Sequence, residues 1–135
     1  MASFNEVTMI ESKHNLLAAG THMSHRSYAL RKAPSLVRCP VARTLDIIGD
    51  RWTILMLRDL LREGPRKFQD FEQSLSGISP NTLSARLRTL EAHGIVERRL
   101  YAEHPPRAEY ALTEKGRELR FALRALRDWG SKHAF

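Results

Sequence analysis

The segment from residue 76 to residue 93 constrains the fold more than any other part of this 135-residue chain. Ser76-Gly77-Ile78 is typical of a tight turn. Ser79 followed by Pro80 indicates a helix start, because serine caps free backbone amides and proline suits the first helical position. The apolar residues that follow recur at helical spacing and share one face: Leu83, Leu87 and Leu90. The pattern predicts a short helix over residues 79–93 that buries one face immediately after a turn.

Helical periodicity also precedes this segment. It predicts a first helix from Pro40 that ends at Gly49. Asp50 is a suitable N-cap for a second helix over residues 51–63, which Gly64 and Pro65 would end. A third, shorter helix is predicted over residues 68–75.

After the helix over residues 79–93, the sequence predicts a pair of strands and a last helix. The first strand opens at Ile95 and the second covers residues 109–112. Residues 103–107 contain paired prolines, which we expect to keep this loop stiff and outside the sheet. The last helix is predicted from Thr113 to about Trp129, with Gly116 weakening its first turn by up to about 1 kcal/mol.

The order helix, helix, helix, turn, helix, hairpin, helix gives the fold class. It predicts a mainly α chain with a small β-hairpin wing (α+β), the parts of a winged helix-turn-helix. Residues 1–33 show no sustained period and predict a flexible N-terminal tail. Residues 34–135 are then one DNA-binding and dimerisation domain.

Charge and composition indicate the kind of binding partner and the cellular compartment. The chain has 22 Lys and Arg against 15 Asp and Glu, a net charge of +7, which favours a polyanionic partner such as double-stranded DNA over a solubilising role alone. No apolar run is long enough for a membrane span, and the first residues do not suit a signal peptide. The single cysteine, Cys39, suits a reducing cytoplasm.

The helix over residues 79–93 is the predicted DNA reader. Asn81 and Arg88 point away from its leucines, and Thr82 and Ser84 lie on the flanks. Asn81 can pair with adenine, and Arg88 or Arg86 with guanine, each pair discriminating by about 1–3 kcal/mol. The hydroxyls that can donate to phosphates belong to Ser79, Thr82 and Ser84. The alternative is that these are ordinary solvated residues at a helix start.

Further DNA contacts are predicted around the wing. Arg107, with His104, lies where a stiff hairpin could enter a narrow minor groove, although a plain exposed turn is the alternative. Arg66 and Lys67 could contact the DNA backbone or form a solvated surface pair. Of Arg98 and Arg99, on a strand, one must face away from the core, and a structural role is the alternative to a DNA contact for this pair.

The last helix has an apolar stripe longer than a small core needs: Leu119, Ala122, Leu123, Leu126 and Trp129. Burying Leu126 and Trp129 against a second copy would contribute about 1.5–3 kcal/mol each. The stripe therefore predicts a homodimer; the alternative is that it packs only on the chain's own first helix.

Several motifs together resemble the HxlR-type regulators. The resemblance is carried by Cys39-Pro40, by the block from Asp46 to Thr53 (DIIGDRWT), by Leu83-Ser84-Ala85-Arg86-Leu87, by the segment from Leu90 to Val96, and by Pro105-Pro106-Arg107. It covers Cys39 to about Trp129. The long N-terminal tail departs from the short leader usual in that family.

The resemblance implies a dimeric bacterial regulator, related to the MarR group, that binds a two-fold promoter site as an activator or a repressor. It implies that the first and last helices form the dimer interface, which adds Val41 and Leu45 to the predicted contacts. In that family a cysteine at this point serves some members as an oxidant or electrophile sensor, so the resemblance makes Cys39 a candidate sensor. A helix start and the nearby Arg38 and Arg43 favour a reactive thiol. The alternative for Cys39 is a buried, unreactive thiol. The alternative switch is a small-molecule effector that binds at the dimer interface.

Other function classes are poorly supported. The chain has no glycine-rich phosphate loop, no metal-ligand spacing and no nucleophile with an evident base, so we expect no enzyme, cofactor or metal. A winged-helix protein-interaction module without DNA binding is the remaining alternative. The polar face that carries Asn81, Ser84 and Arg88 favours DNA binding.

Overall fold

The computed structural model describes residues 37–134. The chain divides into two compact units, Met1–Ala42 and Arg43–Phe135. The described part of the first unit is residues 37–42, in which Cys39 is half-buried and Val41 is exposed. The predicted tail over residues 1–33 lies outside the described residues.

The described elements follow the predicted order with two additions. They are α1 (Pro40–Ile48), α2 (Arg51–Glu63), β1 (Arg66–Lys67), α3 (Phe68–Ser74), α4 (Pro80–Ala92), β2 (Val96–Glu103), β3 (Pro106–Leu112), α5 (Glu114–Arg117) and α6 (Arg120–His133). Among residues 37–134, no helix has the length and apolar character to cross a membrane. The mainly α fold with a small antiparallel sheet is that of a winged helix-turn-helix, as predicted.

Side-chain caps start the two longest helices of the helix-turn-helix region. The Asp50 carboxylate accepts a hydrogen bond from the Thr53 amide at 3.0 Å and so begins α2. The Ser79 hydroxyl accepts from the Thr82 amide at 3.1 Å and begins α4. Between α3 and α4, Gly77 has φ +93°, a conformation that residues with a Cβ rarely adopt. These local signals confirm the predicted helix starts and the tight turn.

The core of the second unit lies between α2, α3, α4 and the sheet. All three leucines of α4 are buried, with exposed fractions of 1% or less. They pack with residues from the neighbouring elements: Met56, Leu57, Leu60, Phe71, Ile95, Val96 and Leu112. At about 1.5–3 kcal/mol for each fully buried side chain, the leucines are a principal reason that α4 is held with one fixed face outward.

The sheet is larger than predicted. Its strand order is β1-β3-β2, all antiparallel, with Lys67 opposite Glu109 and Arg99 opposite the same residue on the other side. The prediction that residues 103–107 stay outside the sheet was wrong, because Glu103 pairs with Pro106. Proline is tolerated at the first residue of a strand, where its missing amide removes no essential ladder hydrogen bond.

The single last helix predicted from Thr113 is two helices. Thr113 caps α5 through the Gly116 amide, and the α-helix is interrupted at residues 118 and 119 before α6 begins. Gly116 is buried, and a Cβ built on it would lie 2.1 Å from the Ile95 carbonyl oxygen. Its role is therefore close packing of α5 against the chain before β2, in addition to any loss of helix propensity.

Candidate nucleic-acid interface

The outer side of α4 is polar and accessible. Asn81 and Arg88 are exposed, opposite the buried leucines, and Thr82 and Ser84 are half-buried on the flanks. The Ser79 hydroxyl is occupied locally, since it accepts from the Thr82 amide and donates to the Thr82 hydroxyl at 2.8 Å. The exposed face can thus offer an amide and a guanidinium, while Ser79 chiefly fixes the helix start.

Arg86 and Arg88 have different surroundings. The Arg86 Nε lies 3.3 Å from an Asp50 carboxylate oxygen, without hydrogen-bond geometry, and its side chain is 40% exposed. Asp50 also caps α2, so this ion pair connects α4 to the start of α2. Arg88 has no ion-pair or hydrogen-bond partner within residues 37–134. Its guanidinium is therefore the more available of the two for a base edge.

A buried carboxylate that the sequence patterns did not single out connects α2 to α3, the first helix of the helix-turn-helix. Asp59 on α2 is only 4% exposed. It accepts a hydrogen bond from the Ser74 hydroxyl of α3 at 2.5 Å, and two from the neighbouring Arg58 at 2.9 and 2.7 Å. Because a buried carboxylate is costly unless it is satisfied, these contacts favour one arrangement of α3 against α2.

The hairpin end carries His104 and Arg107, both exposed. Arg107 lies opposite Ala102 in the β2–β3 register, one residue pair from the turn. Arg98, further along β2, is exposed and shares a strand face with Val96 and Leu100. Neither arginine side chain has an ion-pair or hydrogen-bond partner among residues 37–134. Within residues 37–134, Arg98 is thus the unpaired member of the two strand arginines for which the sequence left a structural role and a DNA contact open, and it has the same lack of a partner as Arg107.

The two cations of β1 are already engaged in the chain. Arg66 donates to the Asp70 carbonyl oxygen at 3.3 Å, and the Lys67 ammonium lies 4.7 Å from the centre of the Tyr101 ring. Both belong to the strand that pairs with β3, so they lie nearer the base of the wing than its tip. Tyr101, with its cation–π contact, was not identified from the sequence.

The predicted dimer residues fall into two groups. Leu119 and Leu123 are partly buried and pack against the chain's own core. The exposed members are Val41, Leu45, Ala122, Leu126 and Trp129, and the last two are 55% and 64% exposed. Phe121, which was not predicted, is also exposed. Cys39, the predicted sensor, is a free, half-buried thiol directly before α1.

Known proteins resemble this chain in both sequence and fold. The HxlR-like helix-turn-helix family matches residues 47–134. The HTH-type transcriptional regulator sll1512 of Synechocystis sp. PCC 6803 is 44% identical over 93 residues, which cover 69% of this chain and 68% of that protein.

Two solved structures are similar in both fold and sequence. The redox regulator HypR in its reduced form has 37% identity and a TM-score of 0.66, over 70% of this chain and 93% of that one. The crystal structure of PA1607 has 44% identity and a TM-score of 0.65, over 79% of this chain and 70% of that one.

Proposed function

Since the chain belongs to the HxlR-like helix-turn-helix family of transcriptional regulators, we propose that it binds a two-fold symmetric promoter site in the bacterial cytoplasm as a homodimer. The observation that carries the proposal is the geometry of α4. Its leucines are buried, and Asn81 and Arg88 are exposed on the opposite side, beside an extended wing. A helix of this shape and polarity fits a major groove.

Each candidate residue has a separate role in this proposal. Asn81 and Arg88 read base edges, with Arg88 preferred over Arg86 because Arg86 already faces Asp50. Thr82, Ser84 and the amides at the start of α4 contact phosphates. The wing residues Arg107 and His104 enter the adjacent minor groove. The remaining two cations, Arg66 and Lys67, contact the DNA backbone at the base of the wing.

Selection of duplexes from a random pool by the purified full chain tests this function. A homodimer places its two α4 helices about 34–36 Å apart, so we expect an enriched inverted repeat with half-site centres about 10 base pairs apart. Enrichment of a single unrepeated half-site would contradict the two-fold site. If no duplex is retained at low salt, the chain would instead be a winged-helix protein-interaction module.

We also propose that Cys39 regulates DNA binding by oxidation. The support is its free, half-buried thiol and the similarity to HypR, described as a redox regulator. With one cysteine per chain, two Cys39 thiols of a dimer would lose two electrons and two protons to form an intersubunit disulfide. Diamide, as the oxidant, would accept both and become the hydrazine.

The Cys39→Ser variant tests the redox proposal. We expect diamide to change the DNA affinity of the unsubstituted chain, to produce a covalent dimer on a non-reducing gel, and to do neither with Cys39→Ser. A variant that keeps its diamide response would exclude Cys39 as the sensor. If diamide does not change the DNA affinity of the unsubstituted chain, the redox proposal is wrong, and a small-molecule effector at the dimer interface is the alternative.

A further inference from the structure

Helix α6 has a second apolar face beyond the one it turns to its own core. On a helical wheel, Leu119 and Leu123 mark the core-facing side, and Phe121, Ala125 and Trp129 lie on a separate adjoining arc. All three of these residues are exposed. Phe121 and Trp129, two helical turns apart, are 60% and 64% exposed, so two large aromatic side chains face outward from one arc of α6. The ring contacts of the arc within residues 37–134 come from neighbours on α6 itself: the Arg120 guanidinium lies 4.4 Å from the centre of the Phe121 ring, and the centres of the Trp129 and His133 rings are 5.2 Å apart.

The arc is symmetric about Ala125. Phe121 lies one helical turn before Ala125 and Trp129 one turn after it, so each aromatic ring is about 6 Å along the axis from the alanine. Two antiparallel copies related by a two-fold axis through Ala125 would set Phe121 of one copy against Trp129 of the other, twice. The small side chain at the centre would allow the helices to approach to about 8 Å, the close end of the usual range.

The charges beyond the aromatic residues have the same symmetry. Glu118 lies seven residues before Ala125 and Lys132 seven residues after it, on the same side of the helix as the aromatic arc. Glu118 keeps helical backbone angles, with φ −63° and ψ −24°, although α6 is assigned only from Arg120. Neither side chain has an ion-pair partner within residues 37–134. The same two-fold axis would therefore join Glu118 to Lys132 of the second copy at both ends.

From this arrangement we propose that α6 pairs with α6 of a second copy, antiparallel and centred on Ala125. The inference rests on the homodimer proposed above and specifies which surface and which register form it. The contact order is Glu118, Phe121, Ala125, Trp129 and Lys132, matched in reverse by the second copy. Leu119 and Leu123 belong to the subunit core rather than to this contact, and Leu126 lies between the two surfaces.

Cysteine crosslinking tests the register. In a full-length Cys39→Ser background, Ala125→Cys places two thiols at the axis, within the 4.4–6.8 Å Cα separation that a disulfide needs. Ala122→Cys is the matched control: it is also an exposed alanine of α6, but it lies about 4.5 Å along the helix from the axis in each copy. We expect mild oxidation to crosslink Ala125→Cys at least tenfold faster than Ala122→Cys.

Sedimentation of both reduced variants separates the possible failures. Fast crosslinking at 125 in a dimer supports the proposed register. Faster crosslinking at 122, or at neither position, in a chain that still sediments as a dimer overturns the register and leaves the homodimer intact. A monomer that fails to bind DNA would overturn the homodimer itself.

Charge reversal supplies an independent measurement. Glu118→Lys and Lys132→Glu each set like charges together at both ends of the pair, so we expect each to raise the dimer dissociation constant several-fold. The double variant restores both attractions and should return the constant close to the original value. Arg124→Glu, on the polar side of α6, is the control for the change in charge. Failure of the double variant to recover would overturn the Glu118–Lys132 pairing.

Discussion

At the scale of single residues, Gly116 is one of two glycines within residues 37–134, with Gly49, where an added Cβ would lie only 2.1–2.2 Å from a backbone carbonyl oxygen. Its missing side chain lets α5 pass the Ile95 carbonyl, and Thr113 donates through its hydroxyl to the Gly94 carbonyl at 2.5 Å in the same contact. The junction between the strand pair and the last helix thus depends on a close approach of two backbone segments.

Gly116→Ala tests this close approach. The added Cβ must displace backbone, so we expect the free energy of unfolding to fall by about 1–3 kcal/mol, measured by urea denaturation. Gly130→Ala in α6 is the control, because a Cβ there meets nothing within 4 Å. This control should be neutral or raise stability by up to about 1 kcal/mol. Equal effects of the two substitutions would contradict the packing role of Gly116.

The residues that sequence patterns predicted well are those whose partners are near in sequence. Asp50 and Ser79 cap helices through amides three positions away, so their residue types and spacing suffice to predict them. Arg86 and Asp59 have partners on other helices. Their contacts depend on how the helices pack, which no local pattern encodes. The sequence therefore offered Arg86 as a partner for guanine without showing its ion pair with Asp50.

At the scale of elements, periodicity predicted α2, α3 and α4 to within a residue or two. It missed β1, because a strand of only two residues has no period to detect, and the pairing of Lys67 with β3 is a tertiary event. It merged α5 with α6, because the interruption at residues 118 and 119 does not disturb the apolar spacing. It predicted strands that were too short in the wing. The paired prolines indicated a loop outside the sheet, whereas Pro106 is the first residue of β3.

The reading helix and the wing should contribute differently to DNA recognition. We expect Arg88→Ala to lose about 1–3 kcal/mol of discrimination at one base pair, measured by competition between the selected site and single-base variants. We expect Arg107→Ala to weaken binding to all duplexes with less change in preference. Both arginines lack ion-pair partners within residues 37–134, so neither substitution breaks a described intrachain pair.

Arg127→Ala provides a control for this comparison. Arg127 is an exposed arginine on α6 that pairs with the adjacent Asp128, and its loss removes the same charge away from the proposed interface. It should leave affinity and preference nearly unchanged. The opposite pattern, with preference lost at Arg107 and general affinity lost at Arg88, would reverse the assignment of reading helix and wing.

At the scale of the whole molecule, a net charge of +7 per chain would give the proposed homodimer a strong attraction to DNA phosphates. Each phosphate that is neutralised releases counterions, so the logarithm of the affinity falls with the logarithm of the salt concentration, with a slope proportional to the number of contacts. We expect the affinity for the selected duplex to fall by a factor of ten or more between 50 and 200 mM salt, measured by fluorescence anisotropy. A salt-independent affinity would contradict binding through several phosphates.

The three-stranded base of the wing has a thermodynamic consequence for recognition. β1 pairs with β3, and the Lys67 ammonium lies against the Tyr101 ring of β2, so the hairpin is attached to the body along both of its strands. A wing held in this way has fewer conformations to lose when it enters a groove. Binding then loses less conformational entropy, so more of the free energy of the wing contacts appears as affinity. We expect the DNA complex to form with little rearrangement of the hairpin base.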